Sequence, residues 1–297
     1  MNLLETNQLP SSLISRTRHA LSSGALVSIP TQSVQIRDHE LPFVLRVLSR
    51  NKERQAAATL TADGSAPTGK TNPFLPYEQD LYVGHFNDNY VCLLNKFNVV
   101  PNHFLIVTAT YQEQNQLLTP QDFEVSLQVL KELPGLVFFN GGKLAGASQK
   151  HKHLQAIPFS EASAPEFPDR LLVCPLYDVL TQTSSQQVQS PELPFLHRLK
   201  VDYSPDPDAL HQTYLQWVQE LGIANDPQSL PGAYNLLLTR EWFMIVPRKQ
   251  EHFAGMSVNA LGFAGTLLAR TPEQLQQIQE TGPLHLLSRV TFPQQPG

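Results

Sequence analysis

The stretch Gly146-Ala147-Ser148-Gln149-Lys150-His151-Lys152-His153-Leu154-Gln155 sets two imidazoles and an amide at alternating positions behind a run of small residues. Read as a strand, it puts His151, His153 and Gln155 on one face and Lys152, Leu154 and Ala156 on the other. Glycine at 146, with Asn140-Gly141-Gly142 upstream, lets backbone N–H groups approach a ligand closely and form an anion-binding concavity. Ser148 and Gln149 add side-chain donors at the same rim. A neutral imidazole can carry a phosphoryl group covalently, provided an acceptor holds its second nitrogen and donors meet the non-bridging oxygens under attack. Gln155 can donate but cannot act as a general acid or base, which favours transfer to a further acceptor over hydrolysis. Two histidines at i and i+2 also fit a metal pair, although no Cys, Asp or Glu nearby completes one, or an ordinary surface pair. Spacing alone leaves these readings open.

Around this stretch, Leu136-Val-Phe-Phe139 and His151–Ile157 read as strands, as do Tyr90–Leu94 and Phe104–Val107, joined through Pro101-Asn102. Thr119 before Pro120, with Asp122 following, gives a capping box for a helix whose apolar face carries Phe123, Leu127 and Leu130, widened by Val129 and Leu133. Pro134-Gly135 ends it. Residues 11–21 read as a short helix ending near Gly24, and residues 51–71 as a polar loop. Within that loop, Gly64 and Gly69-Lys70-Thr71 meet the P-loop spacing. Pro73 and Pro76 follow where a P-loop needs a helix N-terminus, and no apolar strand precedes, so the loop reading stands. Residues 159–195, rich in Pro, Ser and Gln, read as an excursion between two halves. Asp206-Pro207 then opens a helix with Leu210, Tyr214, Trp217, Val218 and Leu221 on one core-packing stripe and Gly222 past its end.

A weak internal repeat links Tyr90-Val-Cys-Leu-Leu-Asn-Lys96 to Tyr234-Asn-Leu-Leu-Leu-Thr-Arg240, and Phe104-Leu-Ile-Val-Thr108 to Phe243-Met-Ile-Val-Pro247. Two copies are too few for a solenoid. They predict an α+β fold made of a duplicated unit with a mainly antiparallel sheet. The expected halves are residues 1–158, with the His-x-His-x-Gln strand, and residues 159–297, a degenerate second copy completing the site.

The 297 residues carry 41% hydrophobic and 16% charged side chains and a formal net charge of −5. That balance suits a globular chain with a sizeable core and argues against a general nucleic-acid binder, which needs a broad basic surface. It leaves room for a nucleotide, whose few phosphates need only local donors. The only cysteines, Cys92 and Cys174, form no metal-binding pattern and fit a reducing compartment. No apolar run approaches the roughly 18 residues needed to span a bilayer, and no basic leader precedes an apolar block. A cytoplasmic enzyme without membrane association is expected.

Asn140-Gly-Gly and Gly146-Ala-Ser-Gln-x-His151-x-His153-Leu-Gln155 closely resemble the diadenosine tetraphosphate phosphorylases, also called ATP adenylyltransferases, on the transferase branch of the histidine-triad superfamily. Further blocks are similar and fall in family order: Pro73-Phe-x-Pro-Tyr77, Leu94-Asn-Lys-Phe97, His103-x-Leu-Ile-Val-Thr108, Tyr234–Thr239 with Val246-Pro-Arg248, and Ser257–Gly265. The resemblance implies a histidine-triad-like fold and phosphorolysis of diadenosine tetraphosphate to ATP and ADP, with AMP carried on His153. It implies catalytic parts for His153, His151 and Gln155. Substrate contacts would come from Lys52, Asn95, Lys96, Asn140, Gly146, Ala147, Ser148, Gln149, Gln155, Ser257, Val258, Asn259, Thr266 and Arg270. His103 reads as structural. The expected partners are dinucleoside polyphosphate, ATP, ADP and phosphate. No structural metal is expected, and magnesium would travel with the substrate phosphates. A related uridylyltransferase, an ADP-sulfate phosphorylase or a non-catalytic polyphosphate binder are the competing readings.

Overall fold

Proline in the first turn opens most of the longer helices, and five strands of the large sheet are largely apolar runs buried at every position. The structure, a computed structural model, describes residues 3–48, 72–160, 165–224 and 230–294. Helix α1 (Leu9–Ser23) carries Pro10 in its first turn and stops where Gly24 turns left-handed at φ 78°. A hairpin of β1 (Thr31–Asp38) and β2 (Leu41–Leu48) follows, then β3 (Tyr82–Asn87), β4 (Tyr90–Leu94) and β5 (Phe104–Thr108). Helix α2 (Pro120–Glu132) leads into β6 (Gly135–Gly141) and β7 (His153–Pro158). Two short helices, α3 (Arg170–Val173) and α4 (Tyr177–Thr181), precede β8 (Arg198–Val201), α5 (Pro207–Glu220), β9 (Tyr234–Leu238) and β10 (Trp242–Pro247). The described chain ends with β11 (His252–Phe253), β12 (Met256–Ser257), α6 (Ala260–Phe263), β13 (Thr266–Ala269), α7 (Pro272–Thr281) and α8 (Pro283–Val290).

Eight strands form one sheet in the order β3-β4-β5-β7-β6-β9-β10-β8, with every neighbouring pair antiparallel. A second sheet, β1-β2-β13, joins an antiparallel hairpin to a parallel strand from the far end of the chain. The α+β, mainly antiparallel class follows. The sheet continues across the boundary expected at residues 158/159, through the pairing of β6 with β9. Among the described residues no helix is long and apolar enough to cross a membrane.

Six of the eight strands, β5-β7-β6-β9-β10-β8, form a palindromic run. The run β5-α2-β6-β7 is answered by β8-α5-β9-β10, and the two halves meet at Asn140 opposite Asn235. Both helices open on a capped residue before proline. Thr119 accepts from Asp122 N in α2, and Asp206 accepts from Ala209 N in α5. The echo between Tyr90–Lys96 and Tyr234–Arg240 falls on hairpins of like register, Tyr90 opposite Thr108 and Tyr234 opposite Pro247. The symmetry of the sheet nevertheless matches β9 with β6 and β10 with β7. Short apolar strands, buried at every position, carry too little pattern to select the right counterpart. Asn235 pairs onward to Val246, whereas the register of β6 and β7 carries Asn140 toward His153. The second half therefore holds an aliphatic side chain where the first holds imidazole.

One face of the large sheet packs against α1, α2 and α5 through residues such as Ile106, Phe123, Leu154 and Tyr214. The other face packs against the small sheet and the C-terminal helices through Phe43, Phe138, Ile157, Met244 and Leu287. The 159–195 excursion belongs to this second layer. Val173, Cys174, Leu176, Leu180, Leu193 and Phe195 are all completely buried there. Helices of four and five residues are too short to show a 3.6-residue period, so their polar surroundings dominate the sequence reading.

Candidate active site

A cleft of about 1060 Å³ opens on the sheet face that carries His153 and Gln155. Its floor is formed by Asn140, His103, Leu105, His153 and Gln155 on β5, β6 and β7 or just before β5. One wall comes from the small sheet, with Arg46, Leu48, Thr266 and Leu268, and a second from Pro73–Glu78. Asn95–Phe97 close one end, while Gly146, Ser148 and Gln149 meet Ser257, Val258 and Asn259 at another.

His153 is held through its ring, its backbone N–H and its carbonyl. Its Nδ1 lies 2.8 Å from the carbonyl oxygen of His151, which can only accept, so Nδ1 carries the hydrogen and Nε2 holds the lone pair. Its backbone N–H donates to Gln114 Oε1 at 2.8 Å, and Gln114 Nε2 donates to Asn140 O at 2.9 Å and His153 O at 3.2 Å. Phe74 packs beside the ring at 5.2 Å between centroids. Burial lowers the His153 pKa to about 4, so the ring is an uncharged base at neutral pH.

His151 starts the strand differently. Its Nε2 meets Thr108 O at 2.8 Å and Thr108 Oγ1 at 2.9 Å, and its Nδ1 meets Asn72 Nδ2 at 2.8 Å. The ring is bonded at both nitrogens and lies outside the cleft wall, packed against Phe74 and Tyr111. The two imidazoles thus share a sheet face without sharing the cleft. Lys152, between them, turns to the opposite face and forms a buried ion pair with Asp122 at 2.5 Å.

Asn140 is oriented by the two halves together. Its Oδ1 accepts from Asn235 Nδ2 at 2.8 Å and from Ala260 N at 3.0 Å, which turns its Nδ2 into the group it can offer a ligand. Asn235 Oδ1 in turn accepts from Arg248 Nη1 at 2.6 Å. Burial lowers the Arg248 pKa to about 9. Gly146 adopts φ +88°, and a Cβ there would come within 2.8 Å of Asn259 Cβ and 3.0 Å of Val258 O. Gly146→Ala is expected to cost about 1–3 kcal/mol and to raise KM, because the clash drives apart two loops that line the cleft. Unchanged stability and KM would show that the loops absorb the methyl group.

Lys96 lies in the cleft but pairs with Glu78 at 2.6 Å, so an anion reaching it must compete with that carboxylate. Asn95 Nδ2 lies 3.1 Å from His103 Nδ1, and His103 is buried in the floor with its Nε2 lacking a hydrogen-bond partner. The structure thus brings together His153, Gln155, Asn95, Lys96, Asn140, Gly146, Ser148, Gln149, Ser257, Val258, Asn259, Thr266 and Arg270. His151 and Ala147 are outside the lining, and Lys52 lies outside the described residues, as does the Gly64–Thr71 motif. The sequence reading passed over Gln114 and Arg46, and it placed Asn235 and Arg248 in family-like blocks without giving them a role. A lone polar residue inside an otherwise apolar buried strand, as Asn235 is in Tyr-Asn-Leu-Leu-Leu, was the signal for one of them. Among the described residues no three His, Cys, Asp or Glu side chains converge to hold a metal ion.

Three buried histidines, His103, His153 and His197, have pKa values lowered to about 4 by burial. The folded values lie below the ordinary value of about 6.5, so the unfolded chain takes up protons first as pH falls. Their contribution is complete above about pH 6.5 and is lost progressively as pH falls toward 4. Urea melts at pH 7.5 and 5.0 are expected to show a lower midpoint at pH 5.0. Equal midpoints would contradict the burial of neutral rings.

Comparison with known proteins agrees with this geometry. Residues 1–174 match the family described as Ap4A phosphorylase N-terminal domain, and residues 191–293 match the ATP adenylyltransferase C-terminal domain. Protein APA1 of Saccharomyces cerevisiae is 30% identical over 310 residues, covering 96% of this chain and 95% of the relative. Diadenosine tetraphosphate phosphorylase 2 of the same yeast is 30% identical over 246 residues, covering 74% and 75%. The crystal structure of yeast Ap4A phosphorylase Apa2 in complex with AMP superposes with a TM-score of 0.78 at 26% identity, covering 99% of this chain and 100% of that one. By sequence along nearly its whole length and by fold, the chain belongs to the diadenosine tetraphosphate phosphorylase (ATP adenylyltransferase) family.

Proposed function

We propose that the chain cleaves diadenosine tetraphosphate with inorganic phosphate to ATP and ADP, through AMP bound to Nε2 of His153. The observation that carries the intermediate is the uncharged His153 ring, with Nδ1 committed to the His151 carbonyl and the ring lining the cleft. The Nε2 lone pair attacks the α-phosphorus at one end of the substrate. The bond to the bridging oxygen breaks, and ATP departs with that electron pair. The carbonyl of His151 stabilises the positive charge that develops on the ring, which makes His151 a positioning residue acting through its backbone. A phosphate oxygen then attacks the same phosphorus, releases His153 and forms ADP.

Donors for the phosphoryl oxygens are assigned to Gln155, Asn140 Nδ2 and the Gly146–Gln149 loop, with Lys96 and Arg270 offsetting charge along the chain. The nucleoside is assigned to the region of Ser257, Val258, Asn259 and Thr266. Magnesium is proposed to enter with the substrate phosphates, whose charge it neutralises, and the cytoplasm is the proposed compartment.

Incubation with diadenosine tetraphosphate, with and without phosphate, tests the reaction. Repeated turnover to ATP and ADP is expected only when phosphate is present, and a chelator is expected to lower the rate without moving the melting temperature of the free protein. AMP and ATP without phosphate would mean hydrolysis, preference for a uridine-containing substrate would mean a different transferase, and tight binding without turnover would mean a sensor.

A further inference from the structure

Strand β2 turns Phe43, Leu45 and Val47 into the core, so the alternate residues Arg46 and Leu48 face the other way. The parallel register sets Leu268 beside Arg46, and Thr266 lies on the same face, so these residues form one wall of the cleft. Arg46 is 7% exposed. Its Nη2 donates to Leu172 O at 2.8 Å and its Nη1 to Thr31 Oγ1 at 3.5 Å, while its Nε is buried without a hydrogen-bond partner.

Among the described residues no carboxylate lies within 4 Å of this guanidinium. Lys96, the neighbouring cation of the cleft, has Glu78. A buried cation without a counter-charge is costly. The two neutral acceptors fix the plane of the fork and leave Nε unpartnered in a residue that lines the cleft. A planar fork of this kind suits two oxygens of one phosphoryl group.

We infer that Arg46 is a phosphate-binding residue of the cleft, recognising a phosphoryl group other than the one under attack. The inference rests on the polyphosphate reading of the site. The phosphoryl group belongs either to the remainder of the dinucleotide chain or to the inorganic phosphate that accepts AMP. Burial, which lowers the Arg46 pKa, agrees with a cation awaiting an anion.

Arg46→Gln and Arg46→Lys are compared with the unaltered chain in steady-state phosphorolysis, after circular dichroism and melting confirm folding. Arg46→Gln is expected to raise a KM by about 10- to 100-fold, acting more on KM than on kcat, with Arg46→Lys in between. A rise confined to phosphate assigns the residue to the acceptor, and a rise confined to diadenosine tetraphosphate assigns it to the chain. Calorimetric titration with inorganic phosphate and with tripolyphosphate needs no turnover. Binding that weakens in Arg46→Gln supports the inference even if phosphorolysis itself fails. Where Arg46→Gln does not fold, Arg46→Lys decides the matter by the same measurements. Unchanged KM values and unchanged anion binding in a folded variant overturn it, as does a lower melting temperature with anion binding intact, which would make Arg46 only a tether to α3.

Discussion

His153→Ala is expected to lower phosphorolysis by about 10⁴-fold or more, the scale on which loss of a covalent nucleophile falls. Nucleotide binding is expected to survive, because the loops that meet the ligand hold their places through other residues. Asn140 is fixed by Asn235 and Ala260, and Gly146 packs on Val258 and Asn259. The substitution removes a buried ring that accepts no hydrogen bond at Nε2 and donates one to a carbonyl, so the folded state loses modest stability. The informative measurement omits phosphate and supplies adenine-labelled diadenosine tetraphosphate. The unaltered chain should then retain one AMP on the protein, labile in acid and stable in base as expected of a phosphorus–nitrogen bond, and release it as ADP when phosphate is added. His153→Ala should retain none. A label that persists in the variant would place the nucleophile elsewhere, and turnover without any labelled protein would point to direct attack by phosphate.

The same histidine shows what the sequence could and could not disclose. Period-two alternation predicts that His153 and Gln155 share a face, and the structure puts both in the cleft floor. Alternation says nothing about where the strand begins. His151 precedes the regular part of β7, and its side chain is drawn to Thr108 and Asn72, partners distant in sequence. The helix over α2 was legible because its cap, proline and apolar stripe are local signals. The wall of the cleft was not. Strand β13 joins β2 from more than two hundred residues away, and no local pattern announces a parallel pairing of that separation. His103 read as a packing residue because it precedes an apolar strand, and only the diagonal neighbourhood of β5 and β7 puts it in the floor. Gln114, which holds the backbone of His153 and Asn140, carries no motif of its own because its partners are set by tertiary contact.

The second large effect is expected behind His153, at Lys152. Its ammonium lies 2.5 Å from Asp122 and 3.3 Å from Leu117 O, and both charged side chains are essentially without solvent contact. Removing one member of such a pair costs about 3–5 kcal/mol, because the other charge stays buried. The two removals are not equivalent. In Lys152→Met, the Asp122 carboxylate keeps Tyr90 OH at 2.8 Å, Thr119 N at 2.7 Å and Thr119 Oγ1 at 3.0 Å, and it remains at the N-terminus of α2. In Asp122→Leu, the ammonium keeps one carbonyl, and the capping box is lost as well, a further ~1 kcal/mol. Asp122→Leu is therefore expected to be the more destabilising, with Lys152→Met toward the lower end of the range. The double variant should cost less than the sum of the two, because no unpaired charge remains. Because Lys152 separates His151 from His153, either single variant should also slow turnover by shifting the carbonyl that holds Nδ1. Denaturant melts of the four proteins give the coupling energy directly. Equal single effects that simply add would mean that the pair is solvated in the folded chain and does not anchor the nucleophile strand to α2.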